Sequence, residues 1–99
     1  MAIVCTKQKG GEVVCTFSKR MDTTQCLESE KEVMKIIEDG VEKIIFDLNG
    51  VGYIASSFLR LCGKTSHKIN PGNFSIINAA PAIKKVFTIA GLGERLNLN

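Results

Sequence analysis

The chain has 99 residues, 44% of them hydrophobic and 23% charged, with 13 basic against 10 acidic side chains for a net charge of +3. This is enough chain for one domain with its own core, taken as residues 1–99, and no segment approaches the roughly 20 apolar residues of a membrane helix. The lysines are spread rather than blocked, which argues against nucleic acid or an anionic membrane as partner. The apolar part of MAIVCTKQK is too short for a secretion signal, so a cytoplasmic protein is expected.

In chain order, AIVCTKQKGGEVVCTFS reads as two β-rich runs joined at Gly10-Gly11, a hairpin signal. DTTQCLESEKEVMKIIEDG reads as a helix: Asp22 and Gln25 have capping-box spacing, and Gly40 stands just past the end. Cys26, Leu27, Val33, Met34 and Ile37 form its predicted apolar face, and Glu28, Glu30, Lys31, Glu32 and Lys35 its solvated one. KIIFDL is short and apolar on both alternating faces, as expected of a central strand. SSFLRLCGKTSHK predicts a second helix stopped by NPG, and NFSIIN a strand. PAIKKVFTIAGL predicts a third helix with Pro81 in its first turn, Gly91 at its stop, and a stripe of Ile83, Val86, Phe87 and Ala90. RLNLN alternates and reads as a terminal strand. The order β-β-α-β-α-β-α-β predicts an α/β fold: a mixed, mostly parallel sheet with an N-terminal antiparallel hairpin strand and covering helices.

Four cysteines, Cys5, Cys15, Cys26 and Cys62, contain no C-x-x-C pair, and the one histidine, His67, completes no zinc pattern with Cys62. Free thiols used as small apolar residues are expected, with no metal and no cofactor. Cys5 and Cys15 face each other across the predicted hairpin, which leaves a redox role open.

Gly63-Lys64-Thr65 resembles the tail of a phosphate-binding loop, but Phe58 stands where that motif requires glycine, and the tripeptide falls inside a helix. A serine hydrolase would need a base near Ser56. His67 lies along the same helix, about 16 Å away, so no dyad forms and no catalytic residue is assigned. Asp47 ends the central strand at the carboxyl edge of the sheet, where α/β proteins carry their sites, and reads equally as a loop-capping carboxylate. Ser56 and Ser57 stand at the strand-to-helix turn. Ser56 reads either as a plain cap or as an acceptor for an anion, which unpaired N–H groups of a first helical turn would favour.

The run IIFDLNGVGYIASSFLRL resembles the signature of the STAS domain in the anti-sigma factor antagonist family, where a V-V-x-D-L strand leads to I-D-S-S/T-G-L and a helix. NFSIINAAPAIKKVFTIAGLGERL is similar to the family's later strand, its proline-containing third helix and the Gly-Leu that ends it. GEVVCTFSKRMDTTQCLES resembles the second strand and the aspartate that opens the first helix. The resemblance spans nearly the whole chain in order. It implies a bacterial transcription regulator without catalytic activity, a monomer or weak dimer that binds an anti-sigma factor or serine kinase of the family and is reset by a phosphatase. It places the phosphorylated serine at Ser56, with Ser57 second, and partner contacts at Asp22, Asp47, Ile54, Ala55 and Phe58. Here Ala55 replaces the family's aspartate and Phe58 its glycine. Two rival readings stand beside this one. The first is an unmodified STAS scaffold in a signalling or lipid-transport complex. The second is a small enzyme or nucleotide-binding protein using Lys64 and Lys68. Phe58 is expected on the surface, facing the partner.

Overall fold

A computed structural model describes residues 2–99. The chain opens with an antiparallel hairpin of β1 (Ile3–Lys7) and β2 (Glu12–Phe17). Gly10 and Gly11 turn it at φ of 80° and 77°, a region in which a Cβ is strained. Next come β3 (Arg20–Met21), α1 (Thr23–Glu38), β4 (Lys43–Asp47), β5 (Tyr53–Ile54) and α2 (Ser56–Ile69). A short 3₁₀ turn (Pro71–Asn73), β6 (Phe74–Ile77) and α3 (Pro81–Ile89) complete the order. The main sheet runs β1-β2-β4-β6, with β2, β4 and β6 mutually parallel and β1 the antiparallel edge. KIIFDL is therefore central, as its composition predicts. β3 and β5 form a separate two-stranded parallel sheet that the sequence reading did not anticipate.

The pleat sorts the sheet into unlike faces. Ile3, Val13, Cys15, Ile44, Phe46, Phe74 and Ile76 are buried on one face, against the helices. On the other face Val4, Thr6, Val14, Thr16, Ile45, Asp47, Ser75 and Ile77 are at most half-buried. The core is aromatic along its length. Phe46 meets Phe17 edge-on at 4.8 Å between centroids and Phe74 at 4.9 Å. Phe58, from the start of α2, stands edge-on to Phe17 at 5.1 Å.

Phe58 is thus fully buried, not exposed. It begins a stripe of Phe58, Leu61, Cys62, Thr65, Ser66 and Ile69 that forms the inner face of α2. The buried Thr65 hydroxyl satisfies itself by donating to the Leu61 carbonyl at 2.7 Å. In α1 the buried positions are Cys26, Ser29 and Val33, while Leu27 points outward at 61% exposure. The helix is rotated so that a serine, not the leucine, meets the core. In α3 only Ile83 and Phe87 are buried; Val86 and Ala90 face solvent. The expected terminal strand is a single parallel bridge, Ile76 to Leu98. Asn97 adopts φ 51°, which breaks the extended run, and its side-chain amide donates to the Pro71 and Phe74 carbonyls at 2.8 Å each. Among the described residues no helix is long and apolar enough to cross a membrane.

Candidate functional site

The small β3–β5 sheet positions the site. Arg20 lies opposite Tyr53 and Met21 opposite Ile54, and the Ala55 N–H donates to the Met21 carbonyl at 2.9 Å. Each of these strands leads at once into a helix, so the starts of α1 and α2 lie side by side. Asp22 caps α1: its carboxylate accepts from the Gln25 N–H at 3.1 Å. Ala55 holds the same position before α2, with extended backbone (φ −85°, ψ 164°), and has no side chain to cap with. The first-turn N–H groups of α2 therefore lack the side-chain acceptor that α1 enjoys, and they carry the positive end of the helix dipole.

Ser56 is the first residue of α2 and its side chain is exposed. Ser57 differs sharply. Its hydroxyl oxygen is buried against the Cys26 thiol, whose pKa burial pushes up and the Ser57 contact lowers in part. Cys26 itself donates weakly to the Met21 carbonyl at 3.7 Å. Of the two serines, only Ser56 offers its oxygen to a partner. Ile54 and Ala55 are half-buried at the same edge. Arg20 stacks over the exposed Tyr53 ring at 4.2 Å, adding a cation and an aromatic that a two-residue strand had hidden from sequence reading.

The structure thus brings together Asp22, Ile54, Ala55 and Ser56. It turns Phe58 inward, because the helical register that exposes Ser56 faces Phe58 to the sheet. Asp47 is occupied nearby: its Oδ1 accepts from the Asn49 N–H at 3.0 Å and from the Asn78 side-chain amide at 3.1 Å. That ties the loop after β4 to the end of β6, the capping role that its position allowed. His67 lies in the last turn of α2, at the opposite end from Ser56. Lys64 points to α1, where it pairs with Glu30 at 3.1 Å. A surface depression lined by Lys84, Thr88, Glu94, Arg95 and Asn97 includes none of the site residues. Among the described residues no cluster of three His, Cys, Asp or Glu side chains could hold a metal ion.

The family profile described as the STAS domain matches residues 4–99. The chain belongs to the STAS family. Among solved structures, this STAS domain is similar to the anti-sigma factor antagonist SpoIIAA in its unphosphorylated form, with 20% identity over 99% of this chain and 88% of that one, at a TM-score of 0.83. It is similar to an anti-sigma factor antagonist from Mycobacterium paratuberculosis, with 20% identity over 97% and 82% of the two chains and a TM-score of 0.87. It is also similar to the Bacillus cell fate determinant SpoIIAA in the phosphorylated form, with 20% identity over 99% and 91% and a TM-score of 0.76. At this identity the likeness is one of fold. No curated protein sequence matches significantly.

Proposed function

We propose that this STAS domain is a non-catalytic regulatory module whose binding to an anti-sigma factor or family serine kinase is switched by phosphorylation of Ser56. The observation that carries the reading is the exposed Ser56 hydroxyl at the uncapped start of α2, beside the capped start of α1. A phosphate there adds a charge of about −1.5 to −2 near unpaired N–H groups. The folded domain tolerates it, since an exposed anion at a helix N-terminus gains about 0.3–1 kcal/mol. A partner seated on Ile54, Tyr53 and Asp22 would strip water from the same anion, and a desolvated unpaired charge costs several kcal/mol. Modification therefore weakens binding without unfolding the domain, and removal of the phosphate by a phosphatase restores it. The buried Ser57 hydroxyl supports Ser56 as the acceptor, and the buried Phe58 leaves Tyr53 and Ile54 as the apolar part of the docking surface.

A second reading, an unmodified STAS scaffold, is favoured by Ala55, which leaves the acceptor helix without the family's aspartate. The pairing of Lys64 with Glu30 and its place inside α2 speak against a nucleotide-binding enzyme. One experiment separates the first two. The domain is purified from its own cells, the Ser56 peptide is examined by mass spectrometry, and partner capture is compared for wild type, Ser56→Ala and Ser56→Asp. Phosphate on Ser56 with capture retained by Ser56→Ala and reduced in Ser56→Asp supports the switch. No phosphate and equal capture by all three leaves the scaffold.

A further inference from the structure

The edge hairpin carries chemistry that the Ser56 site does not use. β1 and β2 pair with Ile3 opposite Phe17, Cys5 opposite Cys15 and Lys7 opposite Val13. The Ser18 N–H donates to the Ala2 carbonyl at 2.9 Å and the Gln8 N–H to the Glu12 carbonyl at 2.7 Å. Bonded and non-bonded pairs alternate along an antiparallel ladder, so with Ala2–Ser18 and Gln8–Glu12 bonded, Cys5–Cys15 is a non-hydrogen-bonded pair. At such pairs the Cα atoms lie about 4.5 Å apart, at the short end of the roughly 4.4–6.8 Å span across which a disulfide closes. The two Sγ atoms are already 3.3 Å apart.

The two thiols are unequal in a useful way. β1 is the edge strand and Cys5 is only half-buried, so solvent reaches it; Cys15 is fully buried. The hydrogen bond from Cys15 holds the Cys5 pKa below its ordinary value, against burial and the nearby Glu32 carboxylate, which raise it. The same bond, with burial, drives the Cys15 thiol far up. Cys26 and Cys62 are both buried, and burial raises their pKa values. Thiolate character and access thus coincide at one cysteine of the four, with a second sulfur in contact behind it.

We propose that Cys5 and Cys15 are a reversible redox pair, oxidised to a cross-strand disulfide by a low-molecular-weight disulfide such as oxidised glutathione. The Cys5 thiolate attacks one glutathione sulfur, the glutathione S–S bond breaks, and one glutathione leaves as a thiolate that takes up a proton. Cys5 now carries a mixed disulfide and no longer holds the Cys15 proton in a hydrogen bond. Cys15 loses that proton, attacks the Cys5 sulfur and expels the second glutathione. Two protein thiols are oxidised, one small disulfide is reduced to two thiols, and the two thiol protons end on the two glutathiones. The bond staples the edge strand to β2, whose chain runs on through β3 to Asp22.

The test uses the full chain, reduced, freed of reductant and incubated with oxidised glutathione without oxygen, then acid-quenched, denatured and alkylated. Wild type should lose two of its four titratable thiols and retain no glutathione, and its tryptic peptides holding Cys5 and Cys15, cleaved apart at Lys7 and Lys9, should remain joined until dithiothreitol is added. Cys15→Ser should keep one glutathione, on Cys5. Cys5→Ser should keep its three remaining thiols. Retention of all four thiols by wild type, a link to Cys26 or Cys62, or a link between two chains overturns the proposal.

Discussion

Truncating Phe58 to alanine should cost the domain about 3–5 kcal/mol. The ring is fully buried at the first turn of α2, edge-on to Phe17 at 5.1 Å and tilted against Phe46 at 6.2 Å. Aromatic contacts of this kind add about 0.5–1.5 kcal/mol to the loss of buried apolar area. The cavity left behind is bounded by β2 and β4, which their ladders hold in place, so it cannot collapse fully. A domain of this size is stable by only about 5–15 kcal/mol, so a fifth or more of the total is at stake. With a urea slope of about 1–3 kcal/mol/M, a loss near 4 kcal/mol lowers the unfolding midpoint by about 1.3–4 M. Urea titration followed by circular dichroism reads the shift, and Phe58→Leu, which keeps most of the volume, should lie between alanine and wild type. Phe58→Gly restores the residue that the family pattern carries here, yet it should be worse than alanine, by up to about 1 kcal/mol of helix propensity. A Phe58→Ala midpoint equivalent to within about 0.5 kcal/mol of wild type is surface behaviour. It would refute the burial of Phe58 and return the residue to the partner face.

Ala55→Asp should stabilise the domain, because the backbone there is already in cap geometry; a gain of about 0.5–2 kcal/mol would raise Tm by about 4–8 °C per kcal/mol, and no rise would mean that the first-turn N–H groups are already satisfied. Asp22→Ala removes the acceptor of the Gln25 N–H and should cost about 1 kcal/mol, with Asp22→Asn nearly neutral, as measured by the same melts. The Ser29 hydroxyl is buried without a partner. Ser29→Ala should therefore be neutral or stabilising by about 1–3 kcal/mol, and a destabilisation above about 1 kcal/mol in urea would reveal a partner.

The long elements were legible because each carried its own period or cap: Asp22 and Gln25 at the start of α1, the apolar run of β4, Pro81 opening α3. β3 and β5 were not, since two residues cannot show a period of two. Their pairing is what sets the helix starts side by side, so the geometry of the site was hidden with them. Ser56 and Asp22 could be named, but not their juxtaposition, nor the Arg20–Tyr53 stack. Phe58 is instructive in the other direction. Its spacing to Leu61, Cys62, Thr65 and Ile69 is a core stripe that helical periodicity alone would have assigned correctly. The comparison with a family that carries glycine there pulled the reading to the surface. Leu27 and Ser29 could not be sorted by hydrophobicity, because the rotation of α1 is set by Cys26 and Val33 together.

The strand order has a consequence in time as well as in space. β2 meets β4 only after the chain has traversed α1, and β4 meets β6 only after α2, so the parallel core must close long segments before any pairing rewards it. Phe46 on β4 touches rings from β2, α2 and β6, which makes it the point where those segments first have something to hold. Folding of this domain is expected to hinge on that cluster, with β1 and the Leu98 bridge joining late. Phe46→Leu should then mainly slow folding, and Val4→Ala, on the edge, mainly quicken unfolding; the reverse partition in stopped-flow chevrons would place the nucleus elsewhere.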